Sequence, residues 1–299
     1  MRGIIITEMQ TQQFSPTHRP SARIRALFLD IDGTIASSDS RVSPGVLRAV
    51  RLARSHGCEV VLCTGRTRFR TVPVAEQLDP PLGYAITSNG GVLTHLGTGE
   101  IIYRHLLDVP VALEVIRIMK DAGADPFVYE DSDNPGVEGA RVLHHPDVNT
   151  SAWERFDPRY RPHPSITTDL PFRPVSVSAY GPAEVVRPLS AHLRERLSET
   201  VSIVESGTEH AWGVEVYVSG ISKRTGLEML AARLDVAQEE IMAVGDHIND
   251  IEMLMWAGWG VAMGNAQPEV KGAADCITAS ITEDGAARAI EAFVLESTY

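Results

Sequence analysis

The stretch Ile24-Arg25-Ala26-Leu27-Phe28-Leu29-Asp30-Ile31-Asp32-Gly33-Thr34-Ile35 decides the fold. A short, mostly apolar run is closed at once by an Asp-x-Asp-Gly turn, the pattern of a buried strand that ends in a loop. Working outward, Ser43-Pro44-Gly45 opens a helix over 44–56, with Ser43 as N-cap, Pro44 at the first position and Gly57 at the end. A second strand over 59–63 ends at Thr64-Gly65-Arg66. A helix over 69–78 follows, then a third strand over 84–87 that ends at Ser88-Asn89-Gly90-Gly91. This β-α-β-α-β rhythm predicts an α/β fold with a doubly wound parallel sheet.

The middle of the chain has a different rhythm. A helix over 111–122 and a short strand over 127–130 precede a Pro-, Arg- and His-rich stretch, 135–174, of weak periodicity. Residues 174–180 alternate polar and apolar, as a half-buried antiparallel strand does. A helix over 184–197 and strands over 201–205 and 214–218 complete an α+β insert. After Gly220 the first rhythm returns: a helix from Ser222 to 234, a buried strand over 241–244, a helix over 250–257, a strand over 260–263 and a terminal helix over 285–296. The expected organisation is a leader over 1–22, a core over 23–107 and 219–299, and an inserted second domain over 108–218.

The 299 residues suit about two domains at roughly 100–200 residues each. Basic residues number 27 and acidic 39, a net charge of −12, which disfavours nucleic acid and anionic membrane surfaces as partners. A local cluster of cations can still hold a small anion. The longest apolar run, over 253–263, is too short for a membrane span, which needs about 20 residues. Three cysteines without a CxxC pair fit a reducing compartment, and the leader has no signal-peptide pattern, so the expected location is the cytoplasm. The expected oligomeric state is a monomer or a homodimer.

No lysine follows a glycine, and GxSxG, HExxH and GxGxxG are missing, which sets aside P-loop, serine-hydrolase, zincin and dinucleotide-binding chemistry. Four other pieces fall at strand ends or a helix start: Asp30-Ile31-Asp32-Gly33-Thr34; Thr64-Gly65-Arg66; Ser222-Lys223; and Gly245-Asp246-His247-Ile248-Asn249-Asp250. Open α/β sheets bind ligands at the carboxyl edge of their strands. Each piece alone reads equally well as a turn or a helix cap. In this order they resemble the haloacid dehalogenase-like superfamily, in particular its Cof-type (IIB) phosphatases, over residues 23–299. Gly264-Asn265-Ala266 and the Ser88–Gly91 segment also match. Arg224 departs from the pattern, which often has glycine directly after the lysine.

The resemblance implies a Rossmann-like core with an α+β cap, and an Mg²⁺-dependent phosphatase that acts on a small phosphorylated metabolite such as a sugar phosphate. Attack on a phosphate by the Asp30 carboxylate brings anion to anion, so cations must neutralise both. Asp30 and Asp246 offer carboxylates to Mg²⁺, a hard ion that prefers oxygen. Lys223 offers a compact positive charge, Thr64 a hydroxyl, and Gly65 close backbone approach to phosphoryl oxygens.

The resemblance adds the backbone carbonyl of Asp32 as a metal ligand, and its carboxyl as the general acid and base. It places Asp250 behind Lys223 or the metal shell, and Asn249 on the phosphate or that shell. Arg66 and Asn89 are candidates for contact with substrate or cap, or for plain structural hydrogen bonds. A phosphomutase or phosphotransferase would carry the same motifs. A receiver-like signalling module or a silent phosphate-binding module is a remoter alternative. Arg141, Arg155, Arg159, Arg161 and Arg173, with Trp153 and Tyr160 among them, are expected either to read the substrate or to form surface ion pairs.

Overall fold

The computed structural model describes residues 19–37, 39–131, 141–149, 159–208 and 211–295. Most of the leader, Trp153, Arg155 and the last residue of the expected terminal helix lie outside them.

The first sheet is built around β1 (Ala26–Leu29), whose residues are fully buried. To one side lie β2 (Glu59–Cys63), β3 (Tyr84–Thr87), β4 (Val92–His95) and β5 (Glu100–Arg104); to the other lie β12 (Ile241–Gly245), β13 (Trp259–Ala262) and β14 (Cys276–Ile277). The strands from β14 through β3 run parallel, as expected from their continuous apolar runs. The sheet is not parallel throughout. β4 and β5 add an antiparallel edge, and a register shift between Leu93 and Thr94 breaks the alternation that would have announced it.

Helix α1 (Pro44–Ser55) is capped as read, with Ser43 Oγ accepting from Val46 N at 3.1 Å. Helix α2 (Arg68–Ala75) stops short of 78, with Pro73 inside it. The terminal helix is α-helical only over Gly285–Ile290 and π-helical over Glu291–Leu295.

The second sheet has the order β10-β11-β9-β6-β7-β8. Its strands are β6 (Pro126–Tyr129), β7 (Val142–His144), β8 (Tyr160–Pro162), β9 (Ser176–Gly181), β10 (Val201–Thr208) and β11 (Ala211–Val218). Helix α3 (Val109–Asp121) precedes it in sequence, and helix α4 (Ala183–Leu197) lies between β9 and β10. On α3, Ala112, Val115, Ile116 and Met119 recur at helical spacing and are all fully buried. They pack with Val186, Leu189 and Leu193 of α4 against Val128, Val177, Ala179, Val214 and Val216.

Side chains alternate across a strand, so Tyr129, Ser176, Ser178, Tyr180, Glu215 and Tyr217 share the opposite face, as the pairings Glu215↔Ser178, Gly213↔Tyr180 and Tyr129↔Ser176 require. That polar face meets the first sheet near its carboxyl edge, where Tyr217 packs with Val92, Val175 and Ile221.

Candidate active site

Register brings the motifs together. Leu29 pairs with both Leu62 and Val244, so the next residues of β1, β2 and β12 leave the sheet at one level. These are Asp30, Cys63-Thr64 and Gly245-Asp246. Asp30 is buried, and its N–H donates to Val244 O at 3.0 Å. Helix α5 (Lys223–Leu234) begins beside it, with a capping box between Ser222 and Thr225. The cap fixes the first residue, Lys223, whose side chain is 1% exposed.

Lys223 Nζ donates to Asp30 Oδ1 at 2.6 Å and to Asp250 Oδ1 at 2.5 Å. The other oxygen of Asp250 accepts from Asp246 N and His247 N, both at 3.0 Å. Asp250 is thus occupied at both oxygens and anchors Lys223 and the loop. Thr34 Oγ1 donates to Asp246 Oδ1 at 3.2 Å, and Asn265 Nδ2 donates to Asp246 Oδ2 at 3.1 Å. Thr34 and Asn265 were not singled out as site residues, although both sit in matched motifs.

Carboxylate oxygens of Asp30, Asp246 and Asp250 lie within 4.8 Å of one another. Lys223 bonds two of these three carboxylates, Asp30 and Asp250. Burial, reinforced by Asp250 and Asp246, pushes the Asp30 carboxyl well above its ordinary range against the pull of Lys223. Burial, then Asp250, pushes Asp246 up to about 7. Burial opposes the charge on Lys223, but Asp250 and Asp30 outweigh it and hold its ammonium charged. Three carboxylates against one ammonium leave a formal charge of −2, which suits a divalent cation with oxygen ligands. Asp30 and Asp246 have the geometry to hold it.

The turn after β1 closes on this cluster. Gly33 has φ +79°, and a Cβ there would lie 2.2 Å from Asp246 Oδ2. The turn after β2 is pinned differently. Thr64 Oγ1 accepts from Arg66 N at 3.1 Å, and Asn89 N donates to Thr64 O at 3.1 Å. Ser88 and Asn89 both adopt φ +52°, an uncommon conformation for residues with side chains. Asn89 is thereby laid against Gly65, where a Cβ would meet its Oδ1 at 3.2 Å.

The remaining candidates separate. The Asp32 carboxylate, 58% exposed, is gripped by Arg66, with Nε to Oδ2 at 2.7 Å and Nη2 to Oδ1 at 2.5 Å. Arg66 also donates to Ser40 Oγ at 2.9 Å. Asn249 Nδ2 donates to Asn89 Oδ1 at 2.8 Å, and the buried Asn249 Oδ1 has no partner among the described residues. Asn89 Nδ2 reaches the second sheet, donating to Glu215 Oε2 at 2.9 Å and Tyr217 Oη at 3.1 Å.

Of the arginine stretch, Arg141 pairs with Glu130 and Arg173 with Asp108, as surface ion pairs do. Arg159 crosses to the first sheet's side, donating to Thr67 Oγ1 at 2.9 Å and lying over the Phe69 ring. A cavity of about 260 Å³ is lined by Lys223, Asn249 and Asn89 together with Val204 and Trp212 of the second sheet.

The model of the haloacid dehalogenase-like hydrolase family matches residues 27–290. The chain belongs to this family. Among curated haloacid dehalogenase-like relatives, the 5-amino-6-(5-phospho-D-ribitylamino)uracil phosphatase YcsE of Bacillus subtilis is 29% identical, over 93% of this chain and 98% of its own. The pyridoxal phosphate phosphatase YbhA of Escherichia coli is 28% identical, over 89% and 97%. A haloacid dehalogenase-like hydrolase of Bacteroides thetaiotaomicron superposes with a TM-score of 0.75 at 26% identity, covering 90% of this chain and 99% of its own. This haloacid dehalogenase-like hydrolase is an enzyme with a parallel-sheet core. Among its described residues, no helix is long and apolar enough to cross a membrane.

Proposed function

We propose that the protein is an Mg²⁺-dependent phosphatase that hydrolyses a small phosphate monoester, a sugar phosphate or related metabolite, through an aspartyl-phosphate on Asp30. The observation that carries this reading is the buried Asp30–Lys223–Asp250 arrangement with Asp246 beside it, at the carboxyl edge of the parallel strands. The names of two relatives, which specify phosphate monoesters, support the substrate class.

Asp30 and Asp246 would hold Mg²⁺, and the ion would supply the charge neutralisation that lets a carboxylate approach a phosphate. Lys223 holds Oδ1 of Asp30 and fixes the carboxylate for in-line attack. Thr64 and the backbone around Gly65 receive the phosphoryl oxygens. Asp32 protonates the leaving alcohol and afterwards takes a proton from water, and for that its carboxyl must leave Arg66. Residues 108–218 act as a cap that covers the site and excludes water while Asp30 is phosphorylated.

Release of inorganic phosphate from p-nitrophenyl phosphate and a panel of phosphorylated metabolites, with and without Mg²⁺, tests the reading. Asp30→Asn should be inactive and folded. Full activity in that variant, or phosphate release only when an acceptor sugar is added, would refute hydrolysis through Asp30.

A further inference from the structure

The second sheet turns its polar face toward the phosphate-binding turns, and three hydrogen bonds there converge on Glu215. Tyr180 Oη donates to Glu215 Oε1 at 3.2 Å, and Tyr217 Oη donates to Glu215 Oε2 at 2.5 Å. Asn89 Nδ2 donates to the same Oε2. Burial pushes the Glu215 carboxyl upward, and these three donors pull it back toward the ionised form. With its amide nitrogen committed to Glu215, Asn89 presents Oδ1 to Asn249. That contact in turn orients Asn249 with its own Oδ1 buried beside the cavity and, among the described residues, unpartnered. The protons of two phenols and an amide are thus spent on one carboxylate, and what is left over is an acceptor. The Asn89 amide lies directly on Gly65, so Glu215 stands one amide away from the turn assigned to the phosphate.

We propose that Glu215 determines specificity, and that with Tyr217, Asn89 and Asn249 it forms a wall that takes leaving groups rich in hydrogen-bond donors and rejects anionic ones. The inference rests on the phosphatase reading. A neutral polyol supplies the protons such a wall lacks. A carboxylate or second phosphate supplies none and meets the Glu215 charge across a space of low dielectric. Sites built around buried polar groups discriminate strongly when the partner cannot complete the hydrogen bonds. Arg70, an exposed cation whose charge is felt at Glu215, is the alternative reader and would favour an anionic substrate.

Three phosphoesters separate these possibilities in the purified protein with Mg²⁺: sorbitol 6-phosphate, 2-phosphoglycolate and p-nitrophenyl phosphate. Wild type is expected to favour sorbitol 6-phosphate over 2-phosphoglycolate by at least about tenfold in kcat/KM. Glu215→Gln, which keeps the shape and removes the charge, should shrink that ratio by about tenfold. Tyr217→Phe, which removes one hydroxyl, should move it the same way.

Preference of the wild type for 2-phosphoglycolate, lost in Arg70→Ala, would overturn the inference. So would a ratio unchanged in both folded wall variants while melting temperature falls, since that marks a structural role. If wild type hydrolyses none of the three, p-nitrophenyl phosphate included, the phosphatase reading itself fails and takes this inference with it.

Discussion

Arg66 holds both oxygens of Asp32, its Nε 2.7 Å from Oδ2 and its Nη2 2.5 Å from Oδ1. The guanidinium is 5% exposed and the carboxylate 58%, so the acid is tethered from below and open above. A carboxyl clamped at both oxygens has none to offer a leaving group until the pair opens. If Arg66 works only through Asp32, the two residues form one unit and their losses will not add. Asp32→Asn should slow an alkyl phosphate at least about a hundredfold more than p-nitrophenyl phosphate, whose leaving group needs little protonation. Arg66→Gln added to Asp32→Asn should cost less than about twofold more. Additive losses would mean that Arg66 acts on something else, the phosphate first among the candidates.

Lys223 is the sole bridge between two buried carboxylates in the described site, so its loss strands both. Lys223→Met should destabilise the protein by about 3–5 kcal/mol in urea unfolding, as breaking a buried pair does, and abolish turnover. Adding Asp30→Asn to that variant should restore part of the stability and none of the activity. No recovery would indicate that packing of the lysine stem, rather than charge, sets the loss.

Titration of the acidic cluster links folding to metal binding. Asp246 stands at about 7 against an ordinary value of 3.8, so between these the metal-free folded protein keeps a proton that the unfolded chain has lost. The contribution of Asp246 to the stability of the metal-free protein therefore falls as pH rises through that window and is gone above it. A bound ion requires the Asp246 proton, and any on the upward-shifted Asp30, to leave, so apparent Mg²⁺ affinity should climb by at least about tenfold per pH unit up to the Asp246 midpoint. Thermal melts at pH 5 to 8 with and without Mg²⁺ measure both trends, and Asp246→Asn should flatten them. Mg²⁺ stabilisation that ignores pH across this range would contradict the assignment of Asp246.

Much of this was legible in the sequence because the information is local. Strands β1, β2, β3, β12 and β13 are buried on both faces and read as unbroken apolar runs ended by Gly, Asp or Thr. The motif residues follow directly: parallel register brings Asp30 and Asp246 together, and the Ser222 cap sets Lys223 beside them. Strands of three residues, such as β7 and β8, carry too little pattern to be seen, and the bulged β4–β5 hairpin carries a broken one. The contact of Asn89 with Glu215 spans 126 residues. Only the alternation along β11 hinted that Glu215 and Tyr217 share a face, and nothing in that alternation names their partner.

The last prediction uses two glycines with nearly the same backbone. Gly33 has φ +79° and Gly57 has φ +78°, so an alanine at either carries a similar left-handed strain of about 1–2 kcal/mol. The surroundings differ. A Cβ at Gly57 would meet nothing within 4 Å, whereas one at Gly33 would lie 2.2 Å from Asp246 Oδ2 and must displace that carboxylate. The strain should lower the melting temperature of both variants by a few degrees, and displacement of Asp246 should lower that of Gly33→Ala further. Gly33→Ala alone should raise the Mg²⁺ concentration for half-maximal activity, by about tenfold or more, since a ligand moved by an ångström no longer meets a small ion that demands strict geometry. Gly57→Ala should leave that concentration unchanged. If the two variants respond alike to Mg²⁺, the closeness of Gly33 to Asp246 has no bearing on metal binding, and the turn after β1 serves the backbone only.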